Sequence, residues 1–332
     1  MERYKLPESN IDRTVVSKDL LLAMYTRMLM IRKFEDRVKM LFLEGNMPGT
    51  IHQCQGQEAS AVGVCYAMQD GDQMTSTHRP HGHAIAKGLT PQEMMGELYG
   101  KISGCCKGKG GSMHVGDMDK GMVPAIAIVA GGIPLATGIA LSYKLRKQAN
   151  VAVCFFGDGA VNEGAFHEAV NMGAIWDLPV VYVCENNLYG ASTAIADTMK
   201  LEYVAERAAA YGIPGETVNG NDVLAVYEAM TRVIAETRAG AGPAIVELMT
   251  YRRTGHSRRD PCHYQDSPEK EFYFSQDPIE ISRKDLEDIH GVGVDTFDEI
   301  ADALDEEIEA AIIHAQEAPE PEIEDIYDDV LA

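Results

Sequence analysis

Residues 151–190 read VAVCFFGDGAVNEGAFHEAVNMGAIWDLPVVYVCENNLYG, and this stretch decides the fold. Residues 151–156 form a continuous apolar run of strand length, broken by Gly157-Asp158-Gly159. Residues 163–175 read as a helix. Residues 179–184 are a second apolar run, ended by Glu185-Asn186-Asn187. Strand, turn, helix and strand make a βαβ unit. Strands that stay apolar without alternation belong to a parallel sheet covered on both faces. The chain is therefore expected to be α/β, a doubly wound parallel sheet with a helical N-terminal layer and a helical C-terminal extension.

Working outward, residues 17–43 predict a long helix. Ser17 can cap it, and Leu20, Met24, Met28, Ile31, Phe34, Val38 and Leu41 keep helical spacing. Residues 57–68 predict a short helix of small apolar side chains. Residues 101–121, KISGCCKGKGGSMHVGDMDKG, are glycine-rich. Such a loop can gather several backbone N–H groups around one ligand, or act only as a flexible linker. Downstream, a helix over 221–238 and a strand over 244–249 extend the α/β alternation. A polar loop rich in Arg and His over 251–268, a helix over 296–315 and an acidic tail follow. The expected organisation is a loose arm over 1–16, an α/β domain over 17–270 and a helical extension over 271–332.

In an open α/β sheet, ligands sit beyond the carboxyl ends of the strands. Two such ends carry hard oxygen donors, Asp158 after the first strand and Asn187 after the second. Adjacent strands lie about 4.8 Å apart, so both groups can reach one cation. Magnesium uses few carboxylates and takes much of its shell from a bound phosphate. One Asp, one Asn and a nearby carbonyl suit a magnesium that bridges a diphosphate. Gly157 and Gly159 let the backbone turn sharply beside it, and the following helix can aim its N-terminus at the phosphate.

GDG followed by 26 residues and then NN resembles the thiamine-diphosphate signature. The likeness extends over most of the chain. HQCQGQEA from His52, STHRPHGHAIAKG from Ser76, GKGGSMH from Gly108 and YRRTGHS from Tyr251 appear in the order found in one family. That family is the alpha subunit of the thiamine-dependent first component of 2-oxoacid dehydrogenase complexes, together with acetoin dehydrogenase. The resemblance implies a thiamine-diphosphate-binding fold, with thiamine diphosphate and Mg2+ as cofactors. It implies Asp158, Asn187 and the Tyr189 carbonyl as magnesium ligands. It further implies that His78, Arg79, Arg252 and His256 hold the diphosphate or line the site, and that Val129 contacts the aminopyrimidine through its backbone. His52 and His256 become candidate proton-handling groups. His81 and His83 read more simply as supporting residues.

Two departures bear on the substrate. Residues 123–130, VPAIAIVA, replace a glycine-containing stretch of the family, so Ile126, Ala127 and Ala130 add side chains near the pocket. Gln53 and Gln55 flank His52 at positions where relatives vary. Thiamine catalysis also needs an activating carboxylate. Only one α/β domain is convincing here, so that Glu is expected on a beta subunit in an alpha-two beta-two heterotetramer. A lipoyl acyltransferase is the expected acceptor, and a small carbonyl compound the substrate. A pyruvate-like 2-oxoacid leads, with acetoin close behind. A split-chain transketolase-type transferase and a non-catalytic assembly subunit are the other classes. No G-x-G-x-x-G follows an N-terminal strand, which disfavours an NAD-binding protein.

Composition is consistent with this reading. Of 332 residues, 45% are hydrophobic, enough for a sizeable core. The formal charge is -22, and no Lys or Arg follows Lys284. Nucleic acid and anionic membrane surfaces would be repelled. The seven cysteines show no zinc or CxxC spacing and read as reduced thiols, which suggests a cytoplasmic protein. No secretory signal or membrane span is recognisable in the sequence.

Overall fold

The computed structural model describes residues 5–328; the first four residues of the expected arm and the last four of the acidic tail lie outside them. Helix α1 (Lys18–Leu43) begins where expected, because the Ser17 hydroxyl accepts the Leu20 N–H. Helix α2 spans Glu58–Ala67, strand β1 Gln73–Thr75, α3 His81–Lys87, α4 Pro91–Leu98 and α5 Gly132–Arg146. Then come β2 (Ala152–Gly157), a 3-10 turn (Asp158–Asn162), α6 (Gly164–Ile175) and β3 (Val180–Asn186). A small hairpin of β4 (Tyr189–Gly190) and β5 (Thr193–Ala194) leads to α7 (Ile195–Thr198). The chain continues through β6 (Gly215–Asn219), α8 (Val223–Glu236), β7 (Ala244–Met249), α9 (Ser267–Ser275), α10 (Pro278–Asp288) and α11 (Val294–Glu317).

The main sheet has the order β1-β2-β3-β7-β6, and every pair in it is parallel. Its strands feed two separate cores. Val153, Phe155, Val181, Val183, Val246 and Leu248 pack under α1–α4, α8, α10 and α11. Ala152, Cys154, Phe156, Val180, Tyr182 and Ile245 pack under α5 and α6. A doubly covered sheet is what unalternating apolar strands require.

The sequence reading passed over β1, β6 and α5. Strand β1 is three residues long, and β6 (GETVN) has one fully buried residue, so neither carries an apolar run. Helix α5 contains Gly132, Pro134 and Gly138. Pro134 falls in the first turn, where a helix tolerates it. The arm is also less loose than expected, since Arg13 bridges Asp222 and Asp285. Acidic α11 lies along α1, with Lys33 paired to Asp305 at 2.7 Å and Arg37 to Glu309 at 2.5 Å. All seven cysteines are free thiols. Among the described residues, no helix is long and apolar enough to cross a membrane.

Candidate active site

Parallel pairing brings the carboxyl ends of β2, β3 and β7 to one edge of the sheet. There they border a cavity of about 410 Å³. Gly157, Asp158 and Gly159 enter it from β2, Asn187 and Tyr189 from the end of β3, and Arg252 and His256 from the loop after β7. His78, Arg79 and Val129 complete the wall. Each of these was expected from sequence. His52 stands behind them, its ring 4.8 Å from that of His78 and 5.0 Å from that of His256.

The turn after β2 and the β4–β5 hairpin press together. A Cβ on Gly159 would meet the Gly190 Cα at 3.0 Å, so the close approach needs glycine. The hairpin itself is held in an uncommon shape, with Leu188 at φ 72° and Ala191 at φ 54°. Arg252 braces it by donating to the Ala191 carbonyl at 2.8 Å and to Asn187 Oδ1 at 3.3 Å. Asn186 faces the other way and donates to Glu247 at 2.7 Å, as strand alternation demands.

The electrostatics are those of an anion site with one acidic corner. Asp158 is 2% exposed, and its Oδ2 has no hydrogen-bond partner among the described residues. Burial pushes its carboxyl up to about 7, against the pull of Arg252 and of nearby backbone N–H groups. An orphaned buried carboxylate oxygen beside the Asn187 amide is the donor set that a hard cation takes. Arg79 and Arg252 are 4% and 1% exposed, and neither joins an ion pair among the described residues. Arg79 donates to the Gln53 carbonyl and to the His256 carbonyl at 3.1 Å. Burial, then the neighbouring Arg252, lowers Arg79 to about 10. Two buried guanidiniums without a carboxylate fit a diphosphate.

The three imidazoles are neutral. Burial first, then Arg79, lowers His52 to about 3 and His78 to about 2, and the same two causes lower His256 to about 4. His52 Nδ1 and His78 Nε2 have no partner among the described residues. Their nitrogens come within 4.8 Å of one another, a spacing that could suggest a transition-metal site. The adjacent guanidiniums oppose a cation there and favour an anion instead.

The glycine-rich loop departs from one expectation. Its N–H groups do converge on a single acceptor, but that acceptor is internal. Cys106, Gly108, Gly110 and Gly111 all donate to the buried Glu97 carboxylate, at 2.7–2.9 Å. His81 and His83 are supporting residues. His81 lies between Glu35 and Ser112, and His83 between Ser76 and Glu185. In the variant stretch, Ile126, Ile128, Val129 and Ala130 line the cavity, whereas Ala127 does not. Ala130 sits at φ 63°, where glycine is easier. Gln57 and Glu185 also line the cavity; they lie inside HQCQGQEA and Glu185-Asn186-Asn187, yet the sequence reading did not single them out as site residues.

The family model described as "Dehydrogenase E1 component" matches residues 26–324. The chain belongs to that family. As a dehydrogenase E1 component it is an α-type oxidoreductase chain that works with thiamine diphosphate. It is 46% identical to the alpha subunit of acetoin:2,6-dichlorophenolindophenol oxidoreductase of Bacillus subtilis, over 95% of this chain and 94% of the relative. The subunit of the same name from Cupriavidus necator is 41% identical, covering 95% of each chain. The pyruvate dehydrogenase E1 component subunit alpha of Porphyra purpurea is 36% identical, over 98% of this E1 chain and 96% of the relative.

Proposed function

We propose that this chain is the α half of a heterotetrameric, magnesium- and thiamine-diphosphate-dependent dehydrogenase that cleaves a small carbonyl compound. The observation that carries the reading is the buried Asp158 oxygen without a partner, in one cavity with Asn187 and two buried arginines that have no carboxylate of their own among the described residues. When bound, thiamine diphosphate supplies the electron sink that breaking a bond beside a carbonyl requires.

This chain's own residues do the holding. Asp158, the Asn187 amide oxygen and the Tyr189 carbonyl take the magnesium. Arg79, Arg252 and His78 take the diphosphate oxygens, and the Val129 backbone takes the aminopyrimidine. His52 and His256, neutral when the site holds only protein, are the groups able to accept a proton at Nδ1 or Nε2 once anionic charge enters. Ile126 and Ala130 make one wall apolar. The activating Glu belongs to a beta subunit, and a lipoyl acyltransferase receives the acyl unit. The described part of the chain has no membrane-crossing helix, and we place the protein in the cytoplasm.

Acetoin and a pyruvate-like 2-oxoacid both suit this site. The 46% and 41% identities to the acetoin:2,6-dichlorophenolindophenol oxidoreductase subunits, against 34–39% for the pyruvate dehydrogenase subunits, favour acetoin. The test is dye reduction by the chain assembled with its partner, with acetoin and pyruvate compared. Turnover of acetoin with a kcat/KM well above that for pyruvate is expected, and the reverse order restores the 2-oxoacid reading. Asp158→Ala should abolish magnesium-dependent cofactor binding in calorimetry. Unchanged affinity would remove the site assignment.

A further inference from the structure

Glu269 lies outside the cavity, in the first turn of α9, and is 8% exposed. One of its carboxylate oxygens, Oε1, accepts two tyrosine hydroxyls, from Tyr189 and from Tyr251, each at 2.7 Å. These tyrosines belong to different loops of the site. Tyr189 is two residues past Asn187, on the hairpin that follows β3. Tyr251 is two residues past β7 and immediately precedes Arg252.

The clamp is stiff on the α9 side as well. Tyr273, also on α9, stacks on the Tyr251 ring with centroids 4.7 Å apart and planes 4° from parallel. Burial, followed by the Glu269 carboxylate, raises the Tyr251 hydroxyl far above its ordinary range, so it stays a donor. Arg252 closes the circuit by donating to Asn187 Oδ1 and to the Ala191 carbonyl on the hairpin. The hairpin and the loop after β7 are thus tied twice, once inside the cavity by Arg252 and once behind it by Glu269. The inner tie uses groups that a ligand would recruit. The outer tie has no such competing duty.

We infer that Glu269 is a positioning residue: it fixes the Asn187–Tyr189 segment, which would hold the cation, relative to Arg252, which would hold the diphosphate. The inference rests on the site reading proposed above. Glu269 acts through other residues: it lies outside the cavity and meets Tyr189 only at the phenol hydroxyl, not at the carbonyl that would hold the cation. Supporting residues of this kind commonly change cation affinity by about 10–100-fold when lost.

The test uses the chain assembled with its partner. Cofactor affinity in the presence of Mg2+ is measured by calorimetry, kcat is measured at saturating cofactor, and amide hydrogen exchange is followed without cofactor. Glu269→Ala should weaken cofactor affinity about 10–100-fold while kcat at saturation changes far less. Exchange should quicken in residues 187–194 and 251–253 even in the cofactor-free protein. Glu269→Gln keeps an acceptor oxygen and should recover most of the affinity. Should Glu269→Ala not fold, the double variant Tyr189→Phe, Tyr251→Phe removes the same two hydrogen bonds and should weaken affinity alike. Unchanged affinity overturns the inference. If Asp158→Ala still abolishes binding, Glu269 alone is refuted; if Asp158→Ala is equally silent, the site reading falls with it. Loss of affinity accompanied by quickened exchange across the whole core, unrescued by Gln, reduces Glu269 to a general packing residue and also overturns the inference.

Discussion

Glu97 and Asp158 are both buried carboxylates beside glycine-rich turns, and they meet opposite surroundings. Glu97 is fully buried, and each of its oxygens accepts two backbone N–H groups from the loop at residues 104–111. Gly104 packs so closely that a Cβ there would meet the Glu97 backbone at 2.5 Å. Asp158 is almost as buried, yet one of its oxygens has no partner. A buried acid that is satisfied by its own chain builds structure. Glu35 also has an oxygen unpartnered among the described residues, but it faces packed protein beside His81; the unpartnered Asp158 oxygen borders the cavity, where a ligand has room to meet it.

The largest effect that separates the two is on stability. Glu97→Gln replaces an acceptor oxygen by an NH2 that faces two N–H donors, and each orphaned donor costs about 1–3 kcal/mol. The cofactor-free protein should lose about 2–6 kcal/mol in urea unfolding. Asp158→Asn should shift the same curve by less than about 1 kcal/mol, because it removes a charge that the fold does not pair. Cofactor binding reverses the order: calorimetry should show Asp158→Asn losing magnesium-dependent affinity while any folded Glu97→Gln retains it. Equal destabilisation by both variants would erase the distinction between the two acids.

A second difference is the pH dependence that the cavity's histidines impose, which the Asp158 carboxyl, raised to about 7 by burial, opposes. His52, His78 and His256 are held at about 3, about 2 and about 4 in the fold, and burial is the first cause in each. Below about pH 6.5 the unfolded chain binds protons at these imidazoles that the folded chain does not. Their contribution is therefore fully present above about pH 6.5 and is lost as the pH falls from there through about 4 for His256, about 3 for His52 and about 2 for His78. His78, the most strongly depressed of the three, steepens this loss by up to about 1.4 kcal/mol per pH unit. His78→Gln should flatten the dependence of the urea midpoint on pH between 6.5 and 4.5. An unaltered slope would show that His78 titrates in the folded state as it does in solvent.

This contrast also explains what the sequence could and could not reveal. Strands β2, β3 and β7 are visible as apolar runs, and GDG with NN at their ends locates the cavity because parallel pairing must bring those ends together. Arg79, His78, Arg252 and His256 are legible through the resemblance, because STHRPHGHAIAKG and YRRTGHS match the family in order; guanidinium forks and imidazoles there suit phosphate oxygens. The same reasoning misplaces the glycine-rich loop. Its composition shows that N–H groups converge but not on what, and the acceptor, Glu97, lies on α4 with no motif around it. Glu269 is hidden for the same reason, and Gln57, although inside HQCQGQEA, is hidden because its partner Asn187 lies 130 positions away. Short β1 and polar β6 are set by their neighbours in the sheet rather than by their own residues.

The smallest expected effect tests how finely the cavity side is arranged. Gln57, 2% exposed and just ahead of α2, accepts the Asn187 Nδ2–H at 3.1 Å through Oε1. An amide has one donor end and one acceptor end. Fixing the donor end on Gln57 turns Asn187 Oδ1 toward Arg252 and the cavity, which is the orientation a cation needs. Gln57→Ala removes one hydrogen bond of about 1 kcal/mol, so the Mg2+ concentration that half-saturates cofactor binding should rise about five-fold. Gln57→Glu keeps an acceptor at the same reach and should stay near wild type, although it adds a charge. If Gln57→Ala leaves the Mg2+ titration unmoved, then the Arg252 Nε–H and the Tyr189 N–H, both of which donate to Asn187 Oδ1, suffice to orient the amide. The orienting role would then pass from α2 to the loop after β7 and to the hairpin, the two elements that Glu269 ties together.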